Sequence, residues 1–150
     1  MLDADRLIGQ LAAAEEAGEP RDALLRAAVE HIEAAEDRFN WVGIYLLEDE
    51  ELVLHNYIGR PTEHTRIPVG VGVCGAAVAQ DRDIRVDDVS AEKNYLACSI
   101  ETKSELVVLI RSEDGTVHGQ IDLDSDRIAG FTADDQVALR QVSAWLARLF

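Results

Sequence analysis

The sequence predicts an α+β fold, in which antiparallel strands form a sheet and the helices are segregated on one side of it. Apolar residues recur at helical spacing near both ends of the chain. The middle of the chain instead carries two stretches of alternating residues, each interrupted by a turn. The length of 150 residues, 47% of them hydrophobic, suits a single domain with one core.

Three long helices are predicted. The first covers residues 3–17, where Gly18 ends it, and the second covers residues 21–37. The last helix begins at Thr132, with Asp135 three residues later as its capping-box partner. These helices are expected to supply the apolar layer that the sheet needs on one face.

Two hairpins are predicted between the helices. The first, in "NWVGIYLLEDEELVLHNYIG", turns at the acidic residues 48–51. The second, in "ELVVLIRSEDGTVHGQIDLDSD", has Asp114 and Gly115 where a type I′ turn is favoured. Between the hairpins, residues 59–73 are expected to form a loop, "CGAAVA" a short helix and "DIRVDD" a short strand. Residues 88–103 are expected to be irregular.

Charge and composition exclude several classes of function. The formal net charge is −15, from 29 acidic and 14 basic residues, and no basic stripe is present to bind nucleic acid or an anionic membrane. No apolar run approaches the roughly 20 residues of a transmembrane helix, and "MLDADRLIGQ" has no signal-peptide character. We therefore expect a cytoplasmic protein without a membrane segment.

Alternation along the last predicted strand places two carboxylates on one face. In "VHGQIDLD", Ile121 and Leu123 point to the helices, so Asp122 and Asp124 point away from them. At about 3.3 Å per residue, these two carboxylates are roughly 7 Å apart along the strand. The pattern alone leaves open whether this face is simply solvated or belongs to a site.

Two aromatic residues share a face of the first strand. In "NWVGIYLL", Trp41 and Tyr45 alternate with Val42 and Ile44, and Gly43 lies between the two rings on the same face. This arrangement suits the floor of a pocket. Aromatic residues in such a pattern are more often part of the core, and that interpretation stays open.

The two cysteines, Cys74 in "GVGVCG" and Cys98 in "YLACSIETKSE", need not be structural. In a reducing compartment, cysteines are more often free or catalytic than joined in a structural disulfide. Cys98 could also be a small buried residue, and Glu105 at the start of a strand could be a surface residue. The four histidines show no metal-ligand spacing, so no metal site is predicted.

Five segments taken together resemble one family: "NWVGIY", "RIPVGVGVCGAAVA", "RVDDVS", "ACSIETKSELVV" and "GQIDLDSDRIAGFTADD". The specific elements are a CGxA motif, an Ala-Cys pair whose cysteine follows 24 residues later, a Ser-Glu pair and a D-x-D-S strand before a Gly-Phe loop. In this pattern the chain resembles the GAF-domain free methionine-(R)-sulfoxide reductases. The resemblance implies that residues 1–150 form a single GAF domain. Its central antiparallel sheet has five to six strands, with the N-terminal and C-terminal helices on one face and a ligand pocket on the other.

The resemblance also implies roles for individual residues. Cys98 matches the catalytic cysteine of the family, and Cys74 matches a second cysteine available as the resolving thiol. The active-site carboxylates of the family match Glu105, Asp122 and Asp124. The aromatic residues that line the substrate pocket match Trp41 and Tyr45.

The chemistry of sulfoxide reduction fits these residue types. A thiolate attacks the sulfoxide sulfur while the oxygen gains a proton, and three crowded carboxyls cannot all ionise, so one of them keeps a proton near neutrality. Backbone N–H groups between Gly70 and Gly75, including those of Gly72 and Val73, are expected to bind the substrate carboxylate at the start of the short helix. Cys98 would become a sulfenic acid, then part of a disulfide that thioredoxin or another thiol reduces. No cofactor is expected, and a homodimer is possible.

The chain departs from the family pattern at several positions. His64 stands where the family usually has a third cysteine, and Asn94-Tyr95-Leu96 replaces Gly-His-Ile. Ser99 replaces an aspartate. Either Cys74 resolves the sulfenic acid, or an external thiol reduces it directly. The alternative function is a non-catalytic GAF sensor module that binds a small molecule in the same pocket.

Overall fold

The computed structural model describes residues 1–96 and 100–150, which form a six-stranded antiparallel sheet with helices on both faces. The strands in chain order are β1 (Trp41–Glu48), β2 (Glu51–Ile58), β3 (Arg66–Pro68), β4 (Ile84–Val86), β5 (Ser104–Arg111) and β6 (Val117–Ser125). The helices are α1 (Ala4–Glu16), α2 (Arg21–Ala35), α3 (Gly72–Gln80) and α4 (Ala133–Ala147), with a 3₁₀ turn at Val89–Ala91. The strand order across the sheet is β3-β2-β1-β6-β5-β4, so β1 and β6 lie at its centre.

The larger apolar core lies between one face of the sheet and the helices α1, α2 and α4. Val42 and Ile44 of β1 and Ile121 and Leu123 of β6 all point into this core and are fully buried. Their alternation with residues of the opposite face is the one that the sequence predicts. Within the described ranges, no helix has both the length and the apolar character needed to cross a membrane.

The N-terminal and C-terminal helices α1, α2 and α4 share one face of the sheet, as predicted, and the short helix α3 lies on the opposite face. Its residues Val73, Cys74 and Ala77 pack with Tyr45 and Val107 in a second apolar cluster. The sequence "GVCGAAVA" has almost no polar face, as expected for a helix that is covered on several sides. Its small side chains allow close approach to the sheet.

The structure differs from the predictions in the loop 59–73 and in the turn of the second hairpin. The predicted loop 59–73 contains the short strand β3, which pairs with β2. The turn of the second hairpin is not type I′, because only Gly115, and not Asp114, has a positive φ (90°). The Gly115 N–H donates to the Ser112 carbonyl at 2.9 Å, and the Ser112 N–H donates to the Thr116 carbonyl at 2.9 Å. These bonds form a longer loop that ends in a left-handed glycine.

The start of α4 is held by an ion pair between the partly exposed Arg38 and the buried Asp135. The predicted capping box between Thr132 and Asp135 is present. The Arg38 guanidinium donates to both oxygens of Asp135, at 2.5 and 2.9 Å, and to the Gly130 carbonyl. Burial opposes the charged form of Asp135, but the hydrogen bonds and charge of Arg38 prevail and lower the pKa of this carboxyl.

Arg38→Met is expected to lower the free energy of unfolding by about 3–5 kcal/mol, because it leaves the Asp135 carboxylate buried without its counter-ion. Chemical denaturation at neutral pH measures this change. The matched control is Arg66→Met, which removes an exposed ion pair to Glu51 and is expected to cost less than about 1 kcal/mol.

The pH dependence of the same pair provides a second check. Because the folded-state pKa of Asp135 is lowered, its stabilisation is present above the ordinary Asp value of about 3.9 and is lost as the pH falls through the lowered value. The difference in stability between wild type and Arg38→Met should therefore shrink on acidification. A difference that stays constant down to the lowest pH at which the protein folds would contradict this account.

Candidate active site

Three carboxyl groups lie together on the face of the sheet that α3 covers; we call Glu105, Asp122 and Asp124 the acidic cluster. The strand register places Glu105 of β5 directly opposite Asp124 of β6, and Asp122 lies two residues before Asp124 on the same face. Their side chains are nearly inaccessible, with exposed fractions of 4% (Glu105), 1% (Asp122) and 2% (Asp124). The interpretation of these carboxylates as a solvated strand face, or of Glu105 as a surface residue, is therefore wrong.

Helix α3 brings a thiol to the acidic cluster. Cys74 lies in the first turn of α3, and its buried Sγ donates a hydrogen bond to Glu105 Oε2 at 3.8 Å. The Cys74 sulfur and one oxygen each from Glu105 and Asp122 all lie within 4.8 Å of one another. Three elements that are distant in the chain thus place a thiol and two carboxyl groups in one small volume.

Burial shifts the pKa values of Asp122 and Cys74. It raises the pKa of Asp122, although hydrogen bonding with Glu105 and Cys74 opposes the shift. The hydrogen bonds to Asp122 do not reach full hydrogen-bond geometry among the described residues. Burial also raises the pKa of the Cys74 thiol well above its ordinary value, and the charges of the acidic cluster raise it further. The pKa of Asp122 therefore shifts in the direction that retention of a proton requires, with burial as the main cause.

An aromatic wall borders the acidic cluster on β1. The rings of Trp41 and Tyr45 are stacked with centroids 6.4 Å apart, and Tyr57 stacks on Trp41 at 5.3 Å. Trp41 Nε1 donates to the Arg60 carbonyl at 3.1 Å, and the Tyr45 hydroxyl donates to the His64 carbonyl at 2.8 Å. Both rings are buried, and their polar atoms hold the loop between β2 and β3 against this face.

Gly43 leaves the space in which the Trp41 ring lies. A Cβ atom at Gly43 would be 2.4 Å from Trp41 Cη2, which is closer than side-chain atoms approach. Gly43 pairs with Asp122 across the β1–β6 ladder, so the indole extends along the sheet beside the acidic cluster. The glycine between the two aromatic residues is therefore required by the position of the indole.

Asn94 joins the start of α3 to the segment that precedes Cys98. Its Oδ1 accepts the Gly72 N–H at 2.9 Å, while its Nδ2 donates to the carbonyls of Gly70 (3.2 Å) and Gly72 (3.1 Å). The N-cap residue of α3 is Val71, which has no side-chain acceptor, so Asn94 supplies the missing cap from a distant segment. Sequence reasoning did not identify Asn94 as a site residue; its departure from the family glycine was the available signal.

The predicted substrate-binding residues of α3 have different surroundings. The Gly72 N–H is occupied by Asn94, as described above. Val73 is buried in the apolar cluster beneath α3, and its N–H belongs to the first turn, where helix amides lack intrahelical partners. The predicted catalytic residue, Cys98, lies outside the described residues.

Gln120 is a further polar residue on this face that the sequence did not single out. It is fully buried on β6, and its Nε2 donates to the Cys74 carbonyl at 3.2 Å. Its Oε1 has no hydrogen-bonding partner in the described part of the chain. Gln120 thus fixes the first turn of α3 over the sheet.

Comparison with known proteins agrees with this architecture. A family model described as GAF domain matches residues 18–149. The chain belongs to the GAF domain family. Its fold, a curled six-stranded antiparallel sheet with four α-helices, is the fold of solved GAF domains.

Within that family, the chain groups with the free methionine-R-sulfoxide reductases. It is 40% identical over 110 residues to the Escherichia coli protein of that name, an alignment that covers 73% of this chain and 66% of that protein. It is 36% identical over 107 residues to the Saccharomyces cerevisiae protein of the same name, covering 69% of this chain and 59% of that protein. The alignments thus span 66% and 59% of the lengths of these two curated relatives.

A solved structure extends the match over nearly the whole chain. The free methionine-R-sulfoxide reductase from Neisseria meningitidis, whose structure was determined in complex with its substrate, superposes with a TM-score of 0.87. It is 34% identical, and the superposition covers 98% of this chain and 87% of that chain.

Proposed function

We propose that this protein reduces free L-methionine-(R)-sulfoxide to methionine, with Cys98 as the nucleophile. The observation that carries the proposal is the burial of three carboxyl groups and a thiol on one face of the sheet, beside two aromatic rings. Burying ionisable groups costs stability, so such a group is typical of a functional site. The relatives named above support the choice of substrate.

The proposed reaction transfers the sulfoxide oxygen from the substrate sulfur to the sulfur of Cys98. The Cys98 thiolate attacks the sulfoxide sulfur and forms an S–S bond. As this bond and the substrate S–O bond break, the oxygen is transferred to the Cys98 sulfur, which becomes a sulfenic acid, and methionine leaves. One proton is consumed at the oxygen, and protonated Asp122 is the group suited to donate it, because burial raises its pKa. Cysteine sulfur loses the two electrons that the sulfoxide sulfur gains.

We propose that Cys74 takes part in returning the oxidised Cys98 to its thiol form. The Cys74 thiol condenses with the sulfenic acid, which releases water and forms a disulfide. A dithiol reductant such as thioredoxin then restores both thiols. The raised pKa of Cys74 keeps it protonated before this step, so Glu105, which accepts its S–H hydrogen bond, is positioned to take the proton.

The charge of the site favours a free amino acid over a peptide. Carboxylates of the acidic cluster that remain ionised can accept the substrate ammonium, and the hydrocarbon chain can pack on Trp41 and Tyr45. A methionine sulfoxide within a peptide has no ammonium group to offer. The proposed specificity therefore depends on the α-amino group.

A coupled assay with thioredoxin, thioredoxin reductase and NADPH tests the proposal. Free L-methionine-(R)-sulfoxide should be reduced, whereas its N-acetyl derivative, which lacks the ammonium, should not. Absence of turnover with the free amino acid under thioredoxin, glutathione and dithiothreitol alike would remove the catalytic proposal and leave a GAF sensor as the function.

Asn94→Ala is expected to lower both stability and turnover. It removes the distant cap of α3 and the tether of the segment preceding Cys98, so the free energy of unfolding should fall by about 0.5–2 kcal/mol. Thermal unfolding and the coupled assay measure the two effects. Asn94→Asp keeps the acceptor for the Gly72 N–H but loses the two donated bonds, and it should be intermediate in both. Full activity in Asn94→Ala would show that the tether does not position the site.

A further inference from the structure

We propose that Cys74, Glu105 and Asp122 form a binding site for a divalent cation of borderline softness, with Zn²⁺ as the expected ion. Nothing in the spacing of histidines predicts such a site, because its three ligands come from α3, β5 and β6 and include no histidine. The proposal depends on the distances between their donor atoms and on their burial.

The distances are close to those of a four-coordinate site. Zinc binds sulfur at about 2.3 Å and carboxylate oxygen at about 2.0–2.2 Å, so tetrahedral ligand atoms lie about 3.3–3.6 Å apart. The Cys74 sulfur is 3.8 Å from Glu105 Oε2, and all three donor atoms lie within 4.8 Å of one another. Small side-chain rotations would bring the three donor atoms to these separations.

The state of Asp122 provides an independent indication of a ligand. Its carboxyl group is 99% buried, and the hydrogen-bonding neighbours that it has are Glu105 and Cys74, the other two residues of the site, at less than full hydrogen-bond geometry. A carboxyl group buried without a donor from outside the site is costly, and coordination of a cation would satisfy its lone pairs. A bound cation would thus provide the partner for the Asp122 oxygens that residues outside the site do not provide.

The donor set selects the kind of cation. A thiolate with two carboxylates suits Zn²⁺ or Co²⁺, whereas Mg²⁺ and Ca²⁺ prefer six or more oxygen ligands. On binding, the Cys74 S–H bond and the O–H bond of protonated Asp122 break, the sulfur–metal and oxygen–metal bonds form, and two protons are released to solvent. The ligands then carry a charge of −3, which the cation reduces to −1.

Occupation of this site would inhibit the protein. The cation would hold the thiol assigned to disulfide formation and the carboxyl assigned to proton donation, so bound metal and reductase turnover exclude each other. This consequence depends on the proposed function, whereas cation binding itself does not. The site would therefore make the activity sensitive to free zinc.

Titration of the reduced full-length protein with Co²⁺ in the absence of substrate tests the site. Coordination by Cys74 should produce the near-ultraviolet thiolate-to-Co²⁺ charge-transfer band and the visible bands of four-coordinate Co²⁺. The charge-transfer band should be lost in Cys74→Ser and retained in Cys98→Ser. Circular dichroism of each variant establishes that it is folded.

Carboxylate variants separate this site from general binding to an acidic protein. Glu105→Gln and Asp122→Asn should weaken Co²⁺ affinity by at least about tenfold, whereas the exposed controls Glu113→Gln and Asp134→Asn should leave it unchanged. Absence of the charge-transfer band in wild type, or its persistence in Cys74→Ser, would overturn the proposal. Because no substrate is present, this result is independent of whether the protein is a reductase.

Discussion

Cys98→Ser is expected to abolish the reduction of free methionine-(R)-sulfoxide. A serine hydroxyl at this position cannot accept the oxygen and the oxidation state that a sulfenic acid carries. No methionine should form, even in a single turnover without reductant. Binding of the substrate should persist, since the carboxyl and aromatic groups that we propose to recognise it are unchanged.

Cys74→Ser is the matched variant and should give a different result. In the absence of external thiol, this variant should still form one equivalent of methionine per protein, because the nucleophile remains. Turnover supported by thioredoxin should fall to a small fraction of wild type, since no disulfide can form within the chain. Small-molecule thiols should restore part of the activity by reducing the sulfenic acid directly. Equal thioredoxin-dependent turnover in wild type and Cys74→Ser would contradict the role of Cys74.

Glu105→Gln and Asp122→Asn are each expected to lower kcat/KM by about 10²–10⁴, the range typical of a lost general acid or base. Both side chains are buried beside the thiol and keep nearly the same shape as amides. The control is Asp134→Asn, an exposed carboxylate in the first turn of α4, which should leave turnover unchanged.

The stability of Asp122→Asn should change in the opposite direction to its activity. The folded-state pKa of Asp122 is raised, so wild type loses stability as the pH rises through that value, whereas the amide has no such dependence. Thermal unfolding should therefore show a higher midpoint for Asp122→Asn than for wild type at neutral pH, with the gap closing in acid. A lower midpoint at neutral pH would identify Asp122 as a structural residue.

Much of the fold follows from patterns that are local in the chain. The alternation of Ile121 and Leu123 with Asp122 and Asp124 places the two carboxylates on the face away from α1, α2 and α4, and the structure agrees. The capping box at the start of α4 is likewise a short-range signal. In both cases, the residues that determine the geometry are within a few positions of each other.

The site could be predicted only in part, because its contacts join distant segments. Strand periodicity does not reveal that α3 covers the second face, so it could not distinguish a solvated Asp122 from a buried one. The Cys74–Glu105 hydrogen bond spans 31 residues, and the bonds from Asn94 to Gly70 and Gly72 span more than 20. No local sequence pattern predicts contacts between residues so far apart in the chain. The family resemblance identified the carboxylates and cysteines, and the structure shows the distances between those that it describes.

The most direct test of the proposed chemistry is the mass of the reduced protein after one treatment with free L-methionine-(R)-sulfoxide, without reductant. We expect one equivalent of methionine and a loss of two hydrogens, with peptide mapping that joins Cys74 to Cys98. An unchanged protein mass with no methionine released would contradict the assignment of this chain as a reductase.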